Sequence, residues 1–198
     1  MPTTIHLVRH GHHGLLGRIL CGRMAGVALD ARGRAELAAC AERLQPAPSV
    51  IQSSPQLRAM QSAEILADRF RLPVEVVAEL DEIDLGDWTG RSFEELERNE
   101  SWHRWNAHRG STRPPGGESM QALQTRMVGH IEQLCLQRPS ETIALVSHAE
   151  PIRAVVLHFA RIPLDDFLSV EIGPASITTL VDGPDGIQLS RVNEKVAA

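Results

Sequence analysis

The sequence has little lysine, little cysteine and no long apolar run. Lys195 is the only lysine among 20 basic residues, so an anion site must be built from arginine guanidiniums and histidine imidazoles. No apolar run approaches the ~18 residues that a membrane-spanning helix needs. The N-terminus also lacks the basic segment and following apolar region of a signal peptide. We therefore expect neither a membrane partner nor a signal peptide.

Cysteine usage and net charge restrict the function further. The three cysteines form no CxxC pair, which argues against a zinc knuckle or a disulfide framework and favours a reducing cytoplasm. The net charge is −5 without a basic block, so nucleic acid is not an expected partner. A length of 198 residues with 42% hydrophobic residues suits one domain over residues 1–198.

Strand-like and helix-like segments alternate along most of the chain. The pattern predicts strands at 3–8, 50–52, 73–77 and 142–147, and helices at 31–44, 56–70, 93–98, 118–138 and 150–160. Ser54 is the expected cap of helix 56–70. Segments 176–181 and 187–192 predict a final hairpin. The alternation predicts an α/β fold, a three-layer α/β/α sandwich with a mostly parallel central sheet and an inserted loop or helical cap at about 91–117.

Residues that can carry chemistry follow the strands of this expected sheet. Arg9 and His10 come directly after the first strand in the stretch IHLVRHG, and His148 comes directly after strand 142–147. Arg58 lies one turn into the helix after the second strand. Because ligands of such sheets bind beyond the carboxyl ends of the strands, these four side chains are expected to meet at one edge.

Two guanidiniums and two imidazoles around a small volume predict a pocket for a dianion such as a phosphoryl group. Arginine forks match phosphate oxygens, and a neutral histidine can attack phosphorus. Such a site also needs a proton donor for the leaving oxygen. The acidic segment 79–90 offers candidates that spacing alone does not separate, namely Glu79, Asp81, Glu82, Asp84 and Asp87.

Five motifs in order resemble the histidine phosphatase superfamily (phosphoglycerate mutase-like, branch one). They are LVRHG at 7–11, SSPQLRAMQSAE at 53–64, ELDEIDLGDWTG at 79–90, PPGGES at 114–119 and VSHAEPIRA at 146–154. The resemblance implies a phosphoglycerate mutase-like fold. It implies a phosphomonoester hydrolase that acts on a small phosphorylated metabolite through phosphohistidine. It implies His10 as nucleophile, Arg9 and Arg58 as phosphate clamps, His148 as the second pocket histidine and Glu82 as the acid and base, with no metal or organic cofactor.

The loop after His10 departs from the family pattern. Leu16 or Gly17 stands where the family carries a polar residue that touches phosphate. His12 and His13 are expected mainly at the exposed surface of this loop. Glu150 would bring a negative charge to the mouth of the pocket unless it points away. The candidate substitutes for the missing phosphate contact are His13, Arg18 and Arg23.

Several alternatives remain open. A phosphoglycerate mutase-type phosphomutase, which is an isomerase, would share the pocket but needs a closing lid and cations for a substrate carboxylate. Segment 91–113 is short for such a lid. A non-enzymatic phospholigand-binding protein would be favoured by loss of a pocket histidine, and neither is lost. Trp102 and Trp105 either line the pocket or pack a helix.

The sequence argues against metal-dependent hydrolysis and leaves the oligomeric state open. The stretch HGHHG lacks the aspartate of the HxHxDH metallohydrolase signature, and an amidohydrolase barrel needs ~250 residues. A metal site is therefore not expected. The sequence does not determine the oligomeric state, and a homodimer is one option.

Overall fold

A computed structural model describes residues 2–195 of the chain. A six-stranded mixed sheet forms its centre, in the order β3-β2-β4-β1-β5-β6. The first four strands of this order are parallel, whereas β5 runs antiparallel to β1 and β6 runs antiparallel to β5. The strands are β1 (Thr3–Arg9), β2 (Val50–Ser53), β3 (Val74–Val76), β4 (Thr142–Ser147), β5 (Ile177–Gly183) and β6 (Gly186–Glu194).

The described residues form six helices beside the sheet. They are α1 (Ala31–Ala41), α2 (Leu57–Phe70), α3 (Phe93–Leu96), α4 (Glu100–Ala107), α5 (Met120–Gln137) and α6 (Ala149–Ala160). Short 3₁₀ turns lie at Ala78–Leu80, Gly86–Trp88 and Leu164–Ser169. The predicted strands and helices are all present, with ends shifted by at most three residues, while α4 and the 3₁₀ turns were not predicted. Within residues 2–195, no helix is both long and apolar enough to cross a membrane.

Residues of the central strands alternate between two hydrophobic cores, one on each face of the sheet. Leu7 and Leu145 belong to a cluster with residues of α5 and α6. Val8 and Val146 belong to a second cluster with residues of α1 and α2. Burial on both faces explains why β1 and β4 read as continuous apolar runs. The expected three-layer α/β/α sandwich with a mostly parallel sheet is confirmed.

Backbone pairing brings the carboxyl ends of β1, β2 and β4 to one edge. The His10 N–H donates to the Ser147 carbonyl at 3.0 Å, and the Ser54 N–H donates to the Val146 carbonyl at 3.0 Å. The residue after each strand therefore emerges beside its neighbours, which places His10, Ser54 and His148 together.

The segment between 91 and 117 packs against the core through tryptophan rings. Trp102 and Trp105 of α4 are buried and lie edge-on against Trp88, with ring centroids 5.4 and 5.6 Å away. Neither ring lines the cavity described below. Of the two alternatives for these tryptophans, the structure shows helix packing.

Candidate active site

A cavity of about 130 Å³ opens at the carboxyl edge of the sheet. Its polar lining includes Arg9, His10, His13, Arg58 and Glu82. All of these except Arg9 are buried, with 2–8% of each residue exposed. Burial of several ionisable groups around one small volume is unfavourable unless they pair with one another or bind a ligand. The cavity is therefore the candidate active site.

Hydrogen bonding fixes the proton position on His10. Its Nδ1 lies 2.8 Å from the Gly11 carbonyl oxygen, which can only accept, so Nδ1 carries the proton. Nε2 keeps its lone pair, toward which the Arg58 Nε–H donates at 3.3 Å. Burial, reinforced by the charges of Arg9 and Arg58, holds the pKa of His10 well below its usual range. His10 is therefore a neutral imidazole with its lone pair on Nε2.

Arg9 and Arg58 each have one nitrogen bonded to a backbone carbonyl and another nitrogen without a partner among residues 2–195. Arg9 Nη1 donates to the Ile172 carbonyl at 2.7 Å, and Arg58 Nη2 donates to the Gly22 carbonyl at 2.7 Å. Arg9 Nε and Arg58 Nη1 are buried and find no acceptor within residues 2–195. Burial lowers the pKa of Arg9 to about 10, which leaves it charged at neutral pH. Buried charged donors of this kind suit an anionic ligand.

His13 lies beside His10, so the expectation of an exposed loop residue is wrong for His13. The two ring centroids are 5.3 Å apart, and only 3% of His13 is exposed. Burial, with a contribution from Arg58, lowers the pKa of His13 to about 4. His12 is turned outward because its Nδ1 pairs with the Asp30 carboxylate at 2.6 Å, at the start of α1. That pairing explains why the next side chain points inward.

Glu82 brings a buried carboxyl group to the cavity. Its Oε1 accepts the Ile83 N–H at 2.9 Å, and its Oε2 lies 4.0 Å from His148 Nδ1. Burial raises the pKa of Glu82 to about 7, with the Glu150 carboxylate adding to the effect and Arg58 opposing it. A carboxyl group that titrates near neutrality can both give and accept a proton.

Glu82 differs in this respect from the other four carboxylates of the acidic segment. None of them lines the cavity within the described part of the chain. The four are Glu79, Asp81, Asp84 and Asp87.

His148 is fully buried and lies behind the cavity surface. Its ring centroid is 5.1 Å from that of His10, and its Nε2 is 2.7 Å from Ser54 Oγ. The Ser54 hydroxyl donates to Asp81 Oδ1 at 3.2 Å, so it accepts from the His148 Nε2–H. Nδ1, on the Glu82 side, has no hydrogen-bond partner among residues 2–195. Burial and then Arg58 hold the pKa of His148 well below its usual range.

Ser54 is not the helix cap that the sequence predicted. The residue at the N-cap of α2 is Gln56, and no side chain caps this helix. The Ser54 hydroxyl accepts the Gln56 N–H at 3.3 Å, just before the helix, and bonds to His148 and Asp81, which the topology brings to the end of β2.

The sequence predicts Asp81 only as a candidate proton donor and does not predict its contact with Ser54. Its Oδ1 also accepts from Gln56 Nε2 at 2.9 Å and from the Glu82 N–H at 2.8 Å. One feature of the sequence could have indicated this contact: the two serines, Ser53 and Ser54, stand at the end of a predicted strand.

Arg23, expected to contact phosphate, is engaged with the loop that carries Glu82. Its Nε donates to the Glu82 carbonyl at 2.7 Å, and its Nη2 donates to Glu118 Oε2 at 3.1 Å. Arg126 Nη2 donates to the same Glu82 carbonyl at 3.2 Å. Arg23 does not line the cavity, and neither does Arg18, which donates to the Gly14 carbonyl. Arg18 and Arg23 therefore bind backbone carbonyls of the loops and do not contact the cavity.

Glu150 does reach the cavity, and two arginines hold it there. Arg109 Nη1 lies 3.0 Å and Arg153 Nη1 lies 3.6 Å from its carboxylate oxygens. Arg153 therefore acts as an ion-pair partner of Glu150. Within residues 2–195, histidine, cysteine and acidic side chains form no group of three that could hold a metal ion.

The family model of the histidine phosphatase superfamily (branch 1) matches residues 5–195, so the chain belongs to this family. The resemblance carried by the five motifs is confirmed. The prediction of a phosphatase is confirmed with it, and named relatives agree.

Phosphoserine phosphatase 1 of Hydrogenobacter thermophilus is 29% identical over 155 residues, which cover 77% of this chain and 74% of that protein. The bifunctional protein Rv2228c of Mycobacterium tuberculosis is 30% identical over 167 residues, which cover 83% of this chain but 45% of that protein. The matched part of this chain therefore spans less than half the length of that relative. The structure of mycobacterial glucosyl-3-phosphoglycerate phosphatase Rv2419c with VO3 has a TM-score of 0.85 and 26% identity, covering 97% of this chain and 99% of that one.

Proposed function

We propose that this protein hydrolyses a small phosphorylated metabolite through a phosphohistidine at His10. The observation that carries the proposal is the His10 Nε2 lone pair, which is free of a proton because Nδ1 donates to the Gly11 carbonyl. Arg58 Nε lies 3.3 Å from that nitrogen, and Arg9 and Glu82 line the same cavity. A neutral nucleophile beside two cations is the arrangement that attack on a phosphate dianion requires.

In the first step, His10 Nε2 attacks phosphorus. The N–P bond forms as the P–O bond to the alcohol breaks, while Arg9 Nε and Arg58 Nη1 donate to the phosphoryl oxygens. Glu82 gives its proton to the departing oxygen, so the alcohol leaves neutral. The pKa of Glu82, raised to about 7, supports this role because the group is half protonated at neutral pH.

In the second step, a water oxygen attacks the phosphorus of phosphohistidine. Glu82, now a carboxylate, takes a proton from that water, and the N–P bond returns to Nε2 as a lone pair. Inorganic phosphate is the product, and Glu82 is again protonated. His10 supplies the nucleophile and Glu82 transfers the protons in both steps, so the proposed reaction needs no metal or organic cofactor.

His148 is proposed as the second pocket histidine. Its Nδ1 lone pair lies 4.0 Å from Glu82 Oε2, so it can accept a proton when a dianion enters the cavity. The resulting imidazolium would stabilise the phosphoryl charge. His13, whose Nδ1 is buried without a partner within residues 2–195, is proposed as a further phosphate contact in place of the missing polar loop residue.

Hydrolysis is favoured over a mutase reaction because the cap segment supplies no cation to the cavity. Arg109 of that segment is paired with Glu150, which lines the cavity. Substrate carboxylate contacts, which a phosphoglycerate mutase needs, are therefore not supported by these side chains. The arginines of the segment, none of which lines the cavity, are Arg91, Arg98, Arg104, Arg109 and Arg113. We also propose a cytoplasmic location, which the three unpaired, buried cysteines support.

The direct test is His10→Ala, with exposed His103→Ala as the matched control. We expect the first variant to lose all but a trace of phosphate release from an aryl phosphate, and the control to retain activity. Vanadate should inhibit the wild type as a phosphate analogue. Retained activity in His10→Ala, or isomerisation of phosphoglycerates in place of phosphate release, would contradict the proposal.

A further inference from the structure

The mouth of the cavity presents a carboxylate to an entering substrate, with its cations held behind it. Glu150 lines the cavity, while Arg109 is buried, stacks over the Trp105 ring at 3.7 Å and donates to Glu150. Arg153 is likewise committed, because its Nε donates to the Val170 carbonyl at 2.7 Å. A carboxylate on the alcohol part of a substrate would therefore meet Glu150 before it met an unpaired guanidinium.

The other cations that line the cavity lie beside His10, where we propose that phosphorus is attacked. Among the described residues, only two arginines line it, Arg9 and Arg58, and both flank His10. Their unpaired N–H groups are taken up by the phosphoryl oxygens in the proposed reaction. No lining cation is left over for a second acidic group.

Another part of the lining is apolar, and two backbone contacts tie it to the residues before α3. Leu16, Ile19, Leu20 and Phe93, which we call the apolar wall, line the cavity and are each half-buried. Ile19 forms a β-bridge with Ser92, and the Leu20 N–H donates to the Arg91 carbonyl at 2.9 Å. The loop and the start of α3 thus hold the wall in place.

The apolar wall also borders a larger space. A neighbouring cavity of about 520 Å³, whose lining includes the opposite charges of Arg18 and Glu94, shares Gly17, Ile19 and Phe93 with the reacting cavity. The reacting cavity alone, at about 130 Å³, has room for a phosphoryl group and a few further atoms. A bulky alcohol group can therefore continue past Phe93 into the neighbouring cavity.

We propose that the apolar wall is the leaving-group subsite, and that it selects phosphomonoesters of uncharged alcohols with an apolar face over phosphorylated hydroxy acids. The inference rests on the proposed function, since it concerns the alcohol that leaves when His10 is phosphorylated. Aryl alcohols fit this description because a ring can pack against Phe93. Glycerate does not, because it would place a carboxylate beside Glu150. Serine does not, because it is a zwitterion whose two charges have no partner on the apolar wall.

The experiment compares kcat/KM for 2-naphthyl phosphate, glycerol 3-phosphate, 3-phosphoglycerate and phosphoserine. In the wild type, kcat/KM should be highest for the naphthyl ester. It should be higher for glycerol 3-phosphate, whose alcohol part is uncharged, than for 3-phosphoglycerate or phosphoserine. Phe93→Ala should lower kcat/KM about tenfold or more for the naphthyl ester and much less for the glycerol ester. Phe159→Ala, a half-buried phenylalanine on α6 outside the cavity, is the matched control. Leu16→Arg should raise kcat/KM for 3-phosphoglycerate by supplying the missing cation.

Two kinds of failure are distinguishable. Phosphate release that is fastest with either acid, or equal losses on all four esters in Phe93→Ala, would overturn the subsite while leaving the phosphatase proposal intact. No phosphate release from any ester would overturn the proposed function and the subsite with it.

Discussion

Glu82→Gln tests the proposed acid and base more sharply than removal of the nucleophile does. Glutamine keeps the size of the side chain and its oxygen acceptor for the Ile83 N–H, but it cannot exchange a proton. Because Glu82 is proposed to act in both steps, the variant should be impaired in each. The impairment of the first step should depend on the leaving group, whereas that of the second should not.

The size of the first effect follows from the environment of Glu82. A carboxyl group at its ordinary pKa of 4.5 would be protonated in about 0.3% of molecules at pH 7, whereas a pKa of about 7 makes that about half. General acid catalysis contributes about 10²–10⁴-fold. We expect kcat/KM for an alkyl phosphate to fall by that factor in Glu82→Gln. With p-nitrophenyl phosphate, whose leaving group needs no proton, the loss should be much smaller.

The pH dependence should change as well. In the wild type, kcat/KM for the alkyl ester should fall about tenfold from pH 6 to pH 8, because the protonated fraction of Glu82 falls as the pH passes its pKa of about 7. The variant should lose this decline. Below about pH 6, ionisation of the substrate phosphate itself limits the rate in both proteins.

Rapid-mixing kinetics with p-nitrophenyl phosphate separates the two steps. The variant should release one equivalent of p-nitrophenolate per site in a burst and then turn over slowly, because water attack on phosphohistidine lacks its base. The control is Glu79→Gln, an exposed carboxylate of the same segment that does not line the cavity. Equal losses on alkyl and aryl esters, or a variant without a burst, would refute the assignment of both roles to Glu82.

Three further predictions concern the supports of the site. Ser54→Ala should lower kcat about 10–100-fold, because the His148 Nε2–H loses its acceptor, and ¹⁵N NMR should show a changed tautomer of that ring. Gly11→Ala should lower the free energy of unfolding by about 1–3 kcal/mol in urea denaturation, because the added Cβ would lie 2.5 Å from the Gly33 carbonyl oxygen. Glu82→Gln should gain about 2–3 kcal/mol of stability relative to the wild type between pH 5 and pH 8. The folded state holds the Glu82 proton more tightly than the unfolded state, so wild-type stability is lost as the pH rises through about 7.

Each of these predictions has a matched control. Ser53→Ala makes the same change one residue earlier, where the hydroxyl donates to the Ser54 carbonyl, and it should leave the His148 tautomer unchanged. Ser54→Thr, which retains a hydroxyl, should recover kcat. Gly14→Ala meets no atom within 4 Å and should be close to neutral. An unchanged tautomer in Ser54→Ala, equal stability of the two glycine variants, or a pH-independent difference for Glu82→Gln would contradict the respective prediction.

The sheet and the residues at its edge could be predicted because they depend on local patterns. The apolar runs of β1 and β4 identify buried parallel strands, and His10 and His148 follow them without an intervening residue. The topological rule for such sheets then places both histidines together. Arg58 follows from the helix register after β2 in the same way.

The roles of the loops could not be predicted from local patterns. Glu82 and its four neighbouring carboxylates look alike in the sequence, and it is burial, a tertiary property, that separates Glu82 from the rest. His12 and His13 are adjacent, and their orientation depends on Asp30, 18 residues further along. Ser54 has the sequence features of a helix cap, but the contact with His148, 94 residues away, takes its hydroxyl.

The central claim, a phosphoryl group carried by His10, is tested most directly by mapping that group. Wild type and Glu82→Gln would be quenched within the first turnover of p-nitrophenyl phosphate and digested, and the peptides would be read by mass spectrometry under alkaline conditions that preserve phosphohistidine. We expect one phosphoryl group on the peptide that holds His10, at higher occupancy in Glu82→Gln and absent from His10→Ala. Turnover with no phosphoryl group on His10, or with the group on another residue, would contradict the claim.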